Sequence, residues 1–318
     1  MVKVCLDAMG GDNAPEAAVK GALKAVGTNP EVSVFLVGKE EEVSSLLSGA
    51  DYDHNRIAVI NASEVIETGD HPVMAIRTKK DSSLCVGLKM VHDGEADAFL
   101  SAGNSGALMV GAQVIAGRQK GIDRGPFAHL IPHAKGYSLL LDCGANVDVR
   151  PEHLLQFAVL GSRFYTKQMG TDRPRVALVN IGTEEEKGNA LVKEALPLLR
   201  ECEDINFIGF VEPTGITAGE ADVLVCDGFV GNIIIKLYEG MGKLMMKTVK
   251  DGLMSTTKSK IGALLVKDAL KEKFKAFDAK EFGGAPILGL KAPVYKIHGN
   301  ADEKVFCNAI LQCLKGDK

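Results

Sequence analysis

The sequence lacks any C-x-x-C pair, although it contains seven cysteines among its 318 residues. The cysteines are odd in number and scattered, which argues against a disulfide framework or a thiolate zinc site and indicates a reducing compartment. They are Cys5, Cys85, Cys143, Cys202, Cys226, Cys307 and Cys313.

The sequence also lacks an excess of positive charge and any long uncharged apolar segment. Its formal net charge is −4, so no global positive field attracts nucleic acid, which is not an expected partner. No apolar stretch reaches the length that a bilayer requires, and Met1–Cys5 runs directly into a predicted strand. We therefore expect a cytoplasmic protein.

The familiar nucleotide-binding motifs are missing as well. No turn matches G-x-x-x-x-G-K-[ST], and none gives a clean G-x-G-x-x-G followed by an acidic residue about twenty positions later. We predict no cofactor and no metal. Asp7, Asp12 and Asp227 are interpreted as residues that order loops, with a divalent metal as the alternative.

Short apolar runs alternate with longer amphipathic stretches along the whole chain. Val2–Leu6, Val32–Val37 and Val176–Asn180 are typical of the former, and Glu16–Val26 and Glu152–Met169 of the latter. Most of the apolar runs are continuous, as expected for strands covered by helices on both faces. The pattern predicts an α/β fold with a doubly wound, Rossmann-like and mostly parallel sheet.

Small and polar residues follow five of the predicted strands, at Asp7–Pro15, Ser101–Gly106, Asp142–Asn146, Asn180–Asn189 and Asp227–Asn232. The carboxyl ends of strands line the ligand crevice of open α/β sheets. Glycine there lets the backbone approach a ligand, and a following helix offers free N–H groups that suit a phosphate. One such turn alone is ordinary loop chemistry, but their recurrence favours a shared anion site.

The candidate substrate-binding residues lie in these turns and at the end of the last predicted strand. They are Asp7, Gly10, Gly11, Asp12, Asn13, Gly103, Asn104, Ser105, Gly106, Asp142, Asn146, Gly182, Asn189, Asp227, Gly228, Gly231 and His298. Ser105 and Asn189 are also predicted to cap helices.

Several side chains near the turns allow two interpretations each. Lys187 and Lys236 are candidates to clamp an anion, whereas Lys187 could instead pair with its acidic neighbours. His298 is a candidate acid or base, with a hydrogen-bonding role in its loop as the alternative. Cys143 is a possible nucleophile, but a small buried side chain is the commoner state of cysteine, and we expect no covalent catalysis.

Five segments together resemble the bacterial phosphate acyltransferase family called PlsX. They are Leu6–Pro15, Ser101–Gly106, Asn180–Asn189, Cys226–Asn232 and Phe282–Pro286. The resemblance spans nearly the whole chain, and the first and third segments are long and unlike generic loops. Ser105 stands where the family's turn has threonine, which also supplies a hydroxyl.

The resemblance implies an enzyme that converts long-chain acyl-acyl carrier protein and inorganic phosphate into acyl phosphate. A membrane glycerol 3-phosphate acyltransferase then uses this product in phospholipid synthesis. The resemblance further implies a homodimer with the fold of isocitrate and isopropylmalate dehydrogenases, and points to Lys187 and Asn232 as catalytic residues. We expect one domain over residues 1–318, with two lobes around a central cleft as the alternative.

The stretch Leu253–Phe277 combines apolar residues with lysines. Its candidate contact residues are Ile261, Leu264, Leu265, Lys258, Lys260 and Lys267. Basic amphipathic helices bind anionic membranes or acidic proteins such as acyl carrier proteins, and the alternative is a helix packed on the core. Because acyl phosphate is apolar and passes to a membrane enzyme, we expect peripheral membrane association.

Three rival functions remain open at this point. A phosphate acetyltransferase would use coenzyme A thioesters, and a nicotinamide-dependent decarboxylating dehydrogenase would need adenosine and metal sites that the sequence does not show. A membrane scaffold or regulator would use the same pocket without turnover.

Overall fold

The computed structural model describes residues 1–274 and 283–315. In chain order the strands are β1 (Val2–Asp7), β2 (Val32–Gly38), β3 (Ile57–Asn61), β4 (Ala98–Ser101), β5 (Ala128–His133), β6 (Gly136–Leu141), β7 (Arg175–Val179), β8 (Asn206–Val211), β9 (Val223–Val225), β10 (Ala285–Ile287) and β11 (Val294–Lys296).

Helices connect most of these strands. They are α1 (Glu16–Thr28), α2 (Glu40–Leu47), α3 (Pro72–Thr78), α4 (Ser83–His92), α5 (Ser105–Gly111), α6 (Pro151–Met169), α7 (Ala190–Glu201), α8 (Pro213–Ala218), α9 (Gly228–Leu253), α10 (Thr257–Phe274) and α11 (Glu303–Gln312). A π-helical turn at Ala112–Ala116 continues α5.

The strands form two sheets. The first has the order β10-β11-β4-β1-β2-β3, and the second has the order β5-β6-β9-β7-β8. Within each sheet the pairing is parallel except at one edge, where β10 runs antiparallel to β11 and β5 runs antiparallel to β6. The predicted α/β class with mostly parallel pairing is confirmed, with the strands divided over two sheets.

The first sheet is buried on both faces because its side chains alternate between two apolar layers. In β1, Val4 and Leu6 pack with α1 and α11, whereas Cys5 packs on the opposite face with α4 and Phe99 of β4. The second sheet is covered in the same way, by α6 and α7 on one face and by α8 and the start of α9 on the other. This two-sided burial explains the continuous apolar runs.

A short segment joins the two sheets. Phe127, just before β5, forms a β-bridge with Ile287 of β10, and Arg118 forms one with Leu290. Cys143, in the turn after β6, packs against the apolar layer that covers one face of the first sheet. The strand ends of the second sheet are therefore anchored beside the first.

Some element predictions were wrong in detail. The sequence does not indicate the short helices α2, α3 and α8 or the strand β10, because each is too short to show a clear period. The cap of α5 is Asn104 and not Ser105, since the Oδ1 of Asn104 accepts a hydrogen bond from the N–H of Ala107 at 3.0 Å. The last part of the predicted helix, up to Phe277, lies outside the described residues.

Within residues 1–274 and 283–315, no helix is both long and apolar enough to cross a membrane.

Candidate active site

Three neighbouring strands of the first sheet end in polar residues on the same face. Because Leu6 of β1 pairs with Leu100 of β4, the next pair is Asp7 and Ser101, and Ser101 also pairs with Lys296 of β11. The hydroxyl of Ser101 donates to the Oδ2 of Asp7 at 2.6 Å. The strand order thus places a carboxyl group, a hydroxyl and an ammonium group side by side at the carboxyl edge.

The three turns beyond these strands contact one another. A Cβ on Gly10 would lie 2.6 Å from the backbone N of Gly103, so the two turns can meet only because position 10 has no side chain. The N–H of Asp12 donates to the carbonyl of Gly299 at 2.7 Å. The Nδ2 of Asn13 donates to the carbonyl of Ala301 at 3.0 Å. The predicted residues of these turns therefore lie close together at this edge of the sheet.

Burial dominates the electrostatics of this edge. Asp7 is 2% exposed, and burial raises its pKa, against the opposing hydrogen bonds from Ser101 and Ser83. Burial also lowers the pKa of Lys296 to about 8, against the opposing charges of Asp7 and Asp12. We did not predict Lys296, because the sequence of one strand does not show which residues lie beside it on the neighbouring strands.

A second cluster forms around Asp142, at the end of β6. Its Oδ1 accepts hydrogen bonds from the N–H groups of Phe127 at 2.9 Å and Ala145 at 3.0 Å. Its Oδ2 accepts from the backbone N–H and the Nδ2 of Asn146, at 2.6 and 2.8 Å. The carboxylate of Asp142 therefore shapes its own turn, and burial raises its pKa against these hydrogen bonds.

The first turn of α9 lies directly on this second cluster. Asp227 caps the helix by accepting from the N–H of Val230 at 2.8 Å, and the N–H of Gly228 donates to the carbonyl of Asn146 at 2.8 Å. A Cβ added to Gly231 would overlap the carbonyl oxygen of Asp142. This close approach places Asn232 against the neighbouring turn, where a Cβ on Gly144 would lie 3.4 Å from the Asn232 side chain.

The turn after β7 is organised from within. The buried Nδ2 of Asn180 donates to the carbonyls of Gly182 and Lys187, at 3.0 and 3.3 Å. The Nζ of Lys187 forms an exposed ion pair with Glu184 at 2.8 Å, and this hydrogen bond raises the pKa of Lys187. Asn189 caps α7, as predicted. The pairing of Lys187 with an acidic neighbour is thus the arrangement in this structure.

The remaining candidates have distinct surroundings. The Nδ2 of Asn104 donates to the carbonyls of residues 67, 68 and 70, so Asn104 fixes a loop as well as capping α5. Ser105 is exposed, and Gly106 abuts the ring of Pro72. His298 is exposed. The pKa of the nearby His129 is lowered by burial and, to a smaller extent, by His298.

The structure argues against Cys143 as a nucleophile. Burial and the neighbouring charge of Asp142 raise the pKa of the Cys143 thiol well above its usual value. Its Sγ donates to the carbonyl of Leu140 at 3.1 Å. A reactive cysteine needs the opposite, a stabilised thiolate. Across the part of the chain that the structure describes, no group of three or more His, Cys, Asp or Glu residues is arranged to hold a metal ion.

The family model for the fatty acid synthesis protein matches residues 2–315. The chain belongs to this family. A phosphate acyltransferase from Clostridium acetobutylicum is 45% identical over 311 residues, which cover 98% of this chain and 94% of that protein. A phosphate acyltransferase from Clostridium botulinum strain Loch Maree is 46% identical over 309 residues, covering 97% and 92%. The predicted membership of the phosphate acyltransferase family, and with it an enzymatic role, is confirmed.

Solved structures confirm the fold that the family resemblance implied. A phosphotransacetylase from Streptococcus pyogenes superposes with a TM-score of 0.67 at 18% identity, covering 99% of this chain and 94% of that one. A 4-hydroxythreonine-4-phosphate dehydrogenase from Burkholderia phymatum gives a TM-score of 0.56 at 14% identity, covering 99% and 98%. The fold is therefore shared by acyl-transfer enzymes and dehydrogenases, and it does not choose between them.

The contact between Gly231 and Asp142 predicts that Gly231→Ala displaces the turn at 142–146 from α9. We expect a loss of stability of about 1–3 kcal/mol, typical of overpacking, together with a loss of activity. The matched control is Gly240→Ala in the same helix, where the added Cβ meets no atom within 4 Å and should stabilise the helix by up to about 1 kcal/mol. Urea unfolding measures the change in unfolding free energy of both variants. Equal changes would contradict a close contact between Gly231 and the carbonyl of Asp142.

Proposed function

We propose that the enzyme makes acyl phosphate from long-chain acyl-acyl carrier protein and inorganic phosphate. The observation that carries the proposal is the meeting of the glycine-lined turns at residues 7–15, 101–106 and 297–300 at one carboxyl edge. Such an edge is the usual ligand crevice of an α/β sheet, and its backbone suits a phosphate. The name phosphate acyltransferase of the Clostridium relatives supports phosphate and an acyl group as the reactants.

The reaction needs neither a covalent enzyme intermediate nor a Lewis acid to activate the carbonyl. An oxygen of hydrogen phosphate attacks the thioester carbonyl carbon and forms the new C–O bond. The C–S bond then breaks, and the leaving thiolate takes up the proton that the phosphate group gives up. Phosphate is already an anionic nucleophile and a thioester is an activated acyl donor, so positioning and charge stabilisation suffice. The high thiol pKa of Cys143 fits this direct route.

We assign the roles in two groups. Gly10–Asn13, Gly103–Gly106 and Lys187 hold phosphate, and Asn232 donates to the oxyanion that forms on the carbonyl. Asn232 suits this role because its side chain lies over the turn at Gly144, at the start of α9. Lys187 is held 2.8 Å from Glu184 and must leave this exposed pair to reach a substrate. Its alternative role is to assist the departing thiolate.

The experiment that tests the function is incubation of the enzyme with palmitoyl-acyl carrier protein and phosphate. We expect free carrier thiol and acyl phosphate to appear together, and only when phosphate is present. Thiol release without phosphate dependence contradicts the proposal. Preference for acetyl-coenzyme A would indicate the acetyltransferase alternative, reduction of a nicotinamide cofactor the dehydrogenase, and no turnover of any substrate the scaffold.

The two proposed catalytic residues should fail differently when replaced. Asn232→Ala should lower kcat by about 10²–10³, since an oxyanion donor typically contributes that much. Lys187→Ala should raise the KM for phosphate, whereas a loss of kcat alone would favour its role at the leaving thiolate. Asn55→Ala, at an exposed position before β3, is the control. Near-normal turnover of Asn232→Ala would refute the oxyanion role.

Helix α10 supports the proposed peripheral attachment to an anionic membrane. Ala263 is buried towards α9, whereas Ile261, Leu264 and Leu265 are exposed by 60, 76 and 84%. The apolar face of α10 therefore points away from the core, and packing on the core does not account for it. Lys258, Lys260 and Lys267 are exposed on the same helix and suit either anionic lipid or acidic acyl carrier protein.

Helix α9 carries a different exposed apolar stripe, which supports the proposed homodimer. Phe229, Ile233, Leu237 and Met241 recur every four residues and are each exposed by 46% or more. A contiguous apolar stripe of this kind marks an interaction site. We assign it to a second copy of the chain because it begins at the active-site end of α9, whereas the membrane-facing residues lie on α10.

These two assignments predict a double dissociation. Leu237→Glu should give a monomer by analytical ultracentrifugation and still bind phosphatidylglycerol vesicles, because it places a charge in the dimer surface only. Leu264→Glu should stay dimeric and lose binding to the same vesicles. Neither variant should bind vesicles made of phosphatidylcholine alone. If Leu264→Glu binds vesicles as the wild type does but has a raised KM for acyl-acyl carrier protein, the exposed face of α10 binds the carrier protein and not the membrane.

A further inference from the structure

Lys296 lies at the carboxyl end of β11, next to the glycine-lined turns. It is the last residue of β11, and its Nζ donates to the carbonyl of Gly103 at 2.7 Å. Gly103 is the residue that meets Gly10, and its own N–H donates to the Oγ of Ser101 at 3.0 Å. The ammonium group therefore lies against the two turns that form the proposed phosphate site.

Among the described residues, no carboxylate forms an ion pair with Lys296, although Asp7 and Asp12 act on its charge through space. An ammonium group has three donors, and among the described residues the structure shows one hydrogen bond from this Nζ, to the neutral carbonyl of Gly103. Lys296 is half-buried, and charged groups withdrawn from water are normally paired with an opposite charge. Asp7 is the nearest buried carboxyl group along the strand row, but it already accepts hydrogen bonds from Ser101 and from the N–H of Met9.

Burial raises the pKa of the Asp7 carboxyl, against the hydrogen bonds that it accepts. Asp12 interacts with Lys296 only through space and is itself exposed to solvent. A bound anion would pair directly with the ammonium group and would take up its remaining donors.

We propose that Lys296 is a cation that binds the phosphate substrate. This inference rests on the proposed function and deepens it, because it adds to the exposed Lys187 a second cation, which the strand register holds at the proposed phosphate site. Lysine is a common phosphate ligand in proteins, where it acts as a point charge. The strand register fixes its position, and the Gly103 hydrogen bond directs its head group to the turns.

Phosphate binding should then depend on the protonation of Lys296. The charged and polar groups that face it are Asp7 on β1, Asp12 in the following turn, and Ser101 and Gly103 at the end of β4. Its pKa is about 8, so the ammonium is charged below that pH and is lost as the pH rises through it. Phosphate affinity should fall by up to about tenfold per pH unit above 8.

The test compares Lys296→Gln and Lys296→Arg with the wild-type enzyme. One readout is the KM for phosphate, and the other is the rise in unfolding temperature that phosphate alone causes without acyl donor. We expect Lys296→Gln to weaken phosphate binding by about 10- to 100-fold, as for loss of a charged hydrogen bond. Lys291→Gln, an exposed lysine before the same strand, is the matched control and should leave both readouts unchanged.

Lys296→Arg gives the readout that a purely structural role would not change. Because arginine stays charged, we expect this variant to bind phosphate at pH 7. Its phosphate affinity should not show the additional fall above pH 8 that deprotonation of Lys296 causes in the wild type. The ionisation of phosphate itself cancels in the ratio of wild type to this variant. A ratio that is constant from pH 7 to 10 overturns the proposal, and so does an unchanged phosphate affinity of a folded Lys296→Gln.

The outcomes separate this inference from the proposed function. If the wild-type enzyme shows no phosphate-dependent thiol release, the function fails, while stabilisation by phosphate that requires Lys296 would still assign the anion site. If Lys296→Gln does not fold, as circular dichroism would show, the pH dependence of the ratio decides alone.

Discussion

The hydroxyl of Ser101 holds the first half of the candidate site together. It donates to Asp7 at the end of β1 and accepts from the N–H of Gly103 in the turn after β4. One oxygen atom thereby fixes the turn that Gly10 must approach and on which Lys296 rests. The hydrogen bond is buried, where the loss of one partner leaves the other unsatisfied and is costly. The geometry of the proposed phosphate site therefore depends on a residue that need not touch the phosphate.

In the second half of the site, Asp142 orders a turn through buried hydrogen bonds. Asp142 uses its carboxylate to close the turn after β6, and the start of α9 packs against that turn through Gly231. In each half, a buried acid at the end of a strand orders a turn, and a glycine lets a neighbouring backbone approach it. The acids at 7 and 142 thus act on the backbone, while the groups proposed to contact substrates lie one step farther out.

The turns were predictable from sequence because glycine, asparagine and aspartate mark strand ends by local chemistry. Their grouping was only partly predictable. The contact of Gly10 with Gly103 and the row of Asp7, Ser101 and Lys296 arise because β4 lies between β1 and β11, which sequence order does not disclose. Lys296 was missed for that reason. The cap of α5 was misplaced by one residue, since Asn104 and Ser105 are both good caps and only the hydrogen bond distinguishes them.

Helix α9 connects two proposed activities at its opposite ends. Its first turn carries Asn232, and its far end leads into α10 with the exposed Leu264 and Leu265. A helix of 26 residues is about 39 Å long. With α10 on the lipid surface, the site of acyl transfer would stand no more than one helix length above that surface. Phosphate and the carrier protein would then arrive from water, whereas the apolar product would have to travel that height along the protein to reach the bilayer.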